Sequence, residues 1–168
     1  MMIKKQLLDN RTGKIIEPKT YVSYKKENNH LTFCFKAYDS SLNSYSTKDN
    51  DALYNGDVVE VFLDFGDEYY FEFEVAPSGA TFVAKIDNMK PIFIDDSFFD
   101  SDVVVKNKDY YVKMVIDLSC FKNIKYIRFN AFRIETQGIK PEYILQALSP
   151  TLSNSFHVRD KFMELKIV

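Results

Sequence analysis

Strict alternation with a period of two, repeated over two successive runs, constrains this chain more than any other feature. In the segment LYNGDVVEVFLDFGDEYYFEFEVAPSG, residues 53–79, Val59, Val61 and Leu63 fall on one side of an extended backbone. Val58, Glu60, Phe62 and Asp64 fall on the other. From Tyr69 to Val75, Tyr69, Phe71, Phe73 and Val75 alternate with Tyr70, Glu72 and Glu74. Joined by Phe65-Gly66-Asp67-Glu68, the two runs predict a β-hairpin with Val59, Val61, Leu63, Phe71 and Phe73 in the core. Glu60 then stands between the apolar Val58 and Phe62 on its strand face. Burying an unpaired charge is costly, so its carboxylate needs partners or a ligand.

The same alternation recurs along the chain, and helical periodicity is nearly absent. Strands are predicted over residues 20–26 and 31–38, around the turn Glu27-Asn28-Asn29-His30, and over residues 80–86 after Pro77-Ser78-Gly79. Residues 87–102 read as irregular and acidic. Further strands are predicted over residues 103–106, 110–117, 125–135, 143–148 and 162–168, with one helical turn within 118–123. About ten strands at this turn spacing predict an all-β chain with almost no helix: one antiparallel β-sandwich of jelly-roll type. At 168 residues, with no linker or repeat, the chain reads as one domain over residues 1–168.

Charge narrows the partners. Lys plus Arg total 22 against 24 for Asp plus Glu, a balance that leaves no electrostatic footprint for nucleic acid or an anionic membrane. No run approaches the roughly 18 apolar residues that span a bilayer. The start, MMIKKQLLDN, lacks an apolar stretch of signal-peptide length. A cytoplasmic location is therefore expected, or an extracellular one with a leader outside this sequence. Cys34 and Cys120 have no metal-ligand spacing, and without a secretory context no disulfide is expected between them.

Several motifs, taken in order, carry a resemblance. Tyr54 precedes Asp57-Val58-Val59-Glu60; Tyr69-Tyr70 and the Pro77-Ser78-Gly79 turn follow. Asn130 and Arg133 lie in FNAFRIE, then come Leu148-Ser149-Pro150, and Phe156-His157 before the last strand. This succession, from about residue 20 to the C-terminus, resembles the family 9 carbohydrate-binding modules and their wider relatives, which share a DOMON-like β-sandwich. The resemblance implies a non-catalytic sugar-binding domain with a site built from Tyr54, Glu60, Asn130, Arg133, Gln146 and Leu148. Members clamp a sugar ring between two aromatics. Tyr54 stands at the first of these positions and Leu148 at the second, which implies a diverged, weak binder. A domain that keeps the fold and serves protein interaction or structure is the alternative.

Each candidate also has a plainer reading. Glu60 and Arg133 can fix sugar hydroxyls, or can pair with each other across the sandwich. Tyr54 is a stacking platform or a cover for the hairpin. Asn130 and Gln146 often satisfy nearby backbone groups. The stretch from Asp95 to Asp102 invites calcium, yet it lacks the glycine of a calcium loop and carries Phe98 and Phe99. A solvated acidic turn is the preferred reading there, as for Asp39, Asp49 and Asp51, and no cofactor is expected. His30 and His157 have no ligand partner at zinc spacing, and His157 is expected to anchor the final strand. Met114 and Met163, the side chains a haem reading would recruit, read as core filler. No nucleophile elbow, zinc-protease helix or phosphate-cradling loop occurs, and no pattern singles out a glycosidase pair. The chain does not read as an enzyme.

Overall fold

A computed structural model describes residues 2–39, 41–136 and 143–165. The strands are β1 (Ile3–Gln6), β2 (Leu8–Asp9), β3 (Thr20–Glu27), β4 (His30–Ala37), β5 (Val58–Asp64), β6 (Tyr70–Val75) and β7 (Thr81–Asp87). They continue as β8 (Lys90–Phe93), β9 (Phe99–Lys106), β10 (Asp109–Asp117), β11 (Arg128–Thr136), β12 (Tyr143–Ala147) and β13 (Met163–Glu164). Helix among the described residues is confined to single 3-10 turns at Leu53–Asn55, Leu118–Cys120 and Arg159–Lys161.

All pairings are antiparallel. One sheet runs β1-β3-β4-β10-β9; the other runs β2-β12-β11-β5-β6-β7-β8, with β13 pairing β11. The all-β sandwich expected from the alternation is the fold observed. Residues 87–102 are the main departure. They contain β8 and the start of β9, both edge strands, whose exposed and charged side chains hide the alternation. The β7–β8 turn is a two-residue hairpin with Asn88 and Met89 both at positive φ (48° and 61°). The N-terminal strands β1 and β2 also escape the sequence reading, being short edge segments. Residues 166–168 of the last predicted strand lie outside the described residues.

The main core lies between the sheets. Val59, Val61, Leu63, Phe71 and Phe73 from β5 and β6 meet Val22, Phe33, Phe35, Val112 and Met114 from the facing sheet. The hairpin residues expected in the core are there, with Val59, Val61, Leu63 and Phe73 fully buried. Met114 is core filler, as expected, and Met163 packs at its margin. Cys34 and Cys120 are free thiols.

A second apolar cluster covers the opposite face of the larger sheet. Val58, Phe62, Tyr70, Phe132 and Ile134 from the strands pack there with Leu53, Phe156 and Phe162 from flanking segments. Phe132 and Phe156 stack at 4.2 Å between centroids. Because of this cover, the outward side chains of β5 and β6 are buried as thoroughly as the inward ones: every residue of both strands is buried.

Candidate functional site

The hairpin register places three acids together. Glu60 pairs with Glu74 and Phe62 with Glu72, so Glu60, Glu72 and Glu74 project from the same outward face. One oxygen from each carboxyl lies within 4.8 Å of the others. Their exposures are only 2%, 6% and 2%, so this is a buried cluster and not a solvated acidic patch. The strands that carry it sit in the middle of the larger sheet, where the backbone is held on both sides.

These carboxyls floor a pocket of about 190 Å3 whose walls are Tyr54, Ile134, Leu145, Asn154, Ser155, Phe156 and His157. Tyr54 belongs to the 3-10 turn before β5 and is 52% exposed, which leaves its ring free to stack on a ligand. His157 packs on Phe62 at 5.0 Å, and its Nδ1 shares a 2.5 Å hydrogen bond with the Tyr70 hydroxyl. His157 therefore ties the C-terminal segment to β6, and its hydrogen bond does not go to the final strand.

Burial dominates the electrostatics. It pushes Glu72 up to about 7, while a hydrogen bond with Glu74 pulls the other way. Burial, with the charge of Glu72, holds Glu60 well above the usual carboxylate range. Burial, followed by Glu60 and then Glu72, does the same to Glu74. Burial also pushes His157 below its ordinary value. A carboxyl that holds a proton can donate a hydrogen bond to a ligand hydroxyl, and one that has released it can accept one or meet a cation.

The residues anticipated from the sequence divide between the two faces of the sheet. Tyr54 and Glu60 line the pocket together. Arg133 does not join them. It pairs with Val59, whose side chain points inward, whereas Glu60 pairs with Phe132. The Arg133 guanidinium is fully buried between the sheets, where it donates to Thr20 Oγ1 (2.9 Å), the Tyr38 carbonyl (2.6 Å) and Asp39 Oδ2 (2.7 Å). Glu60 and Arg133 thus neither share a ligand nor pair with each other. Gln146, opposite Arg133, donates to the Pro18 carbonyl on the same inner side. Leu148 packs against the main core and not at the pocket. Asn130 shares the outward face but is buried, donating to the Ser149 carbonyl and accepting from the Ser149 and Ala131 N–H groups.

Glu72, Glu74 and His157 are the site residues that residue-type reasoning passed over. The signal for the two acids was the hairpin itself: once Val61 faces Phe73, Glu60 must face Glu74. In the acidic stretch considered for calcium, Asp95 and Asp100 accept from the N–H groups of Ser97 and Ser101, which are local turn contacts. A second hollow, about 440 Å3, is bordered by Phe65, Tyr69, Phe71 and Phe121 but has no group of clustered carboxyls.

No family model matches the chain, and no curated protein matches it in sequence. Solved structures do match its fold. A candidate carbohydrate-binding protein from Bacteroides uniformis ATCC 8492 superposes with a TM-score of 0.80 at 16% identity, over 96% of this chain and 84% of that one. A family 9 carbohydrate-binding module from Caldicellulosiruptor kristjanssonii in complex with cellotriose gives 0.61 at 17% identity, over 85% and 71%. A family 9 module from the same organism in complex with glucose gives 0.60 at 18%, over 84% and 72%. The class of protein is thereby defined at the level of architecture: this chain has the fold of the family 9 carbohydrate-binding modules.

Proposed function

We propose that this domain is a non-catalytic carbohydrate-binding module, diverged and weak in affinity, whose sugar site is the pocket of Tyr54, Glu60, Glu72, Glu74 and His157. The observation that carries the reading is an exposed aromatic ring set beside buried, strand-borne carboxyls. Tyr54 supplies a flat apolar face for the C–H side of a pyranose, and the carboxyls supply acceptors and donors for its hydroxyls. Glucose and cellotriose, the ligands in the two Caldicellulosiruptor structures, are the first sugars to test.

With one exposed aromatic ring at the pocket, affinity should be millimolar, roughly −4 kcal/mol. Isothermal titration of the whole chain against glucose, cellotriose and a panel of mono- and disaccharides tests this. Binding that weakens in Tyr54→Ala, with every sugar recovered intact, supports the reading. If saturating sugar gives neither heat nor chemical-shift change, the pocket is no sugar site, and an interaction or structural domain becomes the better reading. The placement of Leu148 on the main core, away from the pocket, is the observation that favours this second reading.

A further inference from the structure

Three other buried carboxylates are met by protein donors. Asp39 pairs with Arg133, Asp57 accepts from the N–H groups of Asn43 and Thr136, and Asp64 accepts from Arg128, Arg159 and the Gly66 N–H. Glu60, Glu72 and Glu74 are treated differently. Among the described residues, no Lys, Arg or backbone N–H donates to them, and the pocket walls contain no Lys or Arg. Glu72 and Glu74 hydrogen-bond to each other. Glu74 Oε2, on a side chain only 2% exposed, is left buried with no partner at all.

An orphaned carboxylate oxygen in a desolvated site needs a positive partner. The geometry points to one kind. Oxygens from all three carboxyls within 4.8 Å of one another can touch a single ion, because calcium–oxygen contacts run at about 2.3–2.6 Å. An all-oxygen, all-carboxyl donor set selects a hard cation over zinc or copper. Calcium takes about six to eight oxygens, and the open side of the pocket leaves room for water or ligand hydroxyls to complete the shell.

We propose that Glu60, Glu72 and Glu74 form a binding site for a calcium-sized divalent cation, opening into the pocket beside Tyr54. The site stands on the three carboxyls and does not depend on the sugar reading.

The test uses the whole chain after treatment with chelator. Calcium chloride is titrated by calorimetry and by thermal melting, and terbium by luminescence excited through tyrosine, since Tyr54 lines the same pocket. The expected result is binding of one ion with a raised melting temperature and sensitised terbium emission. Glu72→Gln and Glu74→Gln keep side-chain volume and remove a buried charge, so both should fold; each should weaken calcium at least about tenfold, the loss expected for a ligand group supplying about 1.4 kcal/mol. The double variant Asp95→Asn, Asp96→Asn should bind as the parent does. Absence of heat, melting shift and terbium emission at millimolar calcium overturns the proposal. So does calcium binding that survives both Gln variants, or that is lost in the loop variant. Sugar binding in chelator with no calcium response overturns this site and leaves the sugar reading intact; calcium binding without sugar binding does the reverse.

Discussion

Arg133 and Glu60 are neighbours in strand pairing and strangers in chemistry. Arg133 crosses the interior from β11 to Thr20 of the facing sheet and to Tyr38 just past β4, and lies 5.6 Å from the Tyr110 ring centroid. Arg133→Ala would leave Asp39 buried and unpaired, and should cost about 3–5 kcal/mol in urea unfolding while leaving ligand affinity of the folded protein unchanged. A loss of affinity at constant stability would return Arg133 to the site. The acid cluster yields a pH prediction. Burial raises Glu72 from its ordinary 4.5 to about 7, and Glu60 and Glu74 shift in the same direction. The folded state therefore binds these protons more tightly than the unfolded chain. For Glu72 the added stability is complete below the unfolded value, near 4.5, and is lost as pH rises to about 7; Glu60 and Glu74 change stability in the same direction. Asp57, raised to about 6 chiefly by burial, adds to this slope, and the lowered His157 opposes it. Denaturant midpoints of the chelated protein should fall over that range, and Glu74→Gln should flatten the fall; an equal slope in both proteins would clear the cluster of the effect. Leu148→Trp should not tighten sugar binding. Packed on the main core, the larger ring should instead cost about 1–3 kcal/mol.

The β5–β6 hairpin is the element on which fold and site both depend. Its inward side chains hold the main core: Phe73 packs against Phe99 at 5.2 Å and Phe98 at 6.2 Å. Phe73→Ala should cost about 3–5 kcal/mol by chemical denaturation. A cost below about 1 kcal/mol would put the register in doubt, since that is well under the worth of a buried Phe. The loop closing the hairpin is built for charge. Asp64 is buried, which alone would raise it, but Arg159, Arg128 and the Gly66 N–H hold the carboxyl at about 2. Gly66 sits at φ +96°, where a side chain would be strained, and a Cβ there would meet Lys125 at 3.0 Å. Arg159, next door to His157 and Phe156, thus pins the segment that roofs the pocket to the end of β5. Edge elements were less legible. In β8 all four residues are exposed, and Pro91 interrupts the pattern, so no buried face exists for alternation to reveal.

At the scale of the whole molecule, one sheet serves two cores. β5, β6 and β11 bury side chains against the facing sheet and against the C-terminal cover at once. The two clusters should therefore unfold as a unit: Phe73→Ala from one and Phe132→Ala from the other should each lower a single transition. Two resolved transitions in calorimetry would mean that the outer cover melts independently. No helix among the described residues is long and apolar enough to cross a membrane. The division between what was legible and what was not follows from the physics of strands. Alternation is a local property, since successive side chains point to opposite faces whatever the partner strand is. The sequence alone thus determined an all-β sandwich, the inward set Val59, Val61, Leu63, Phe71 and Phe73, and the isolation of Glu60 on the other face. Pairing parity between strands some seventy residues apart is not local. Glu60 lies opposite Phe132, and a slip of one residue would have set it opposite Arg133 and turned the guanidinium outward. That choice is made by the packing of the two sheets, which needed Arg133 against Asp39 and Tyr110, and it left Glu60 to the company of Glu72 and Glu74.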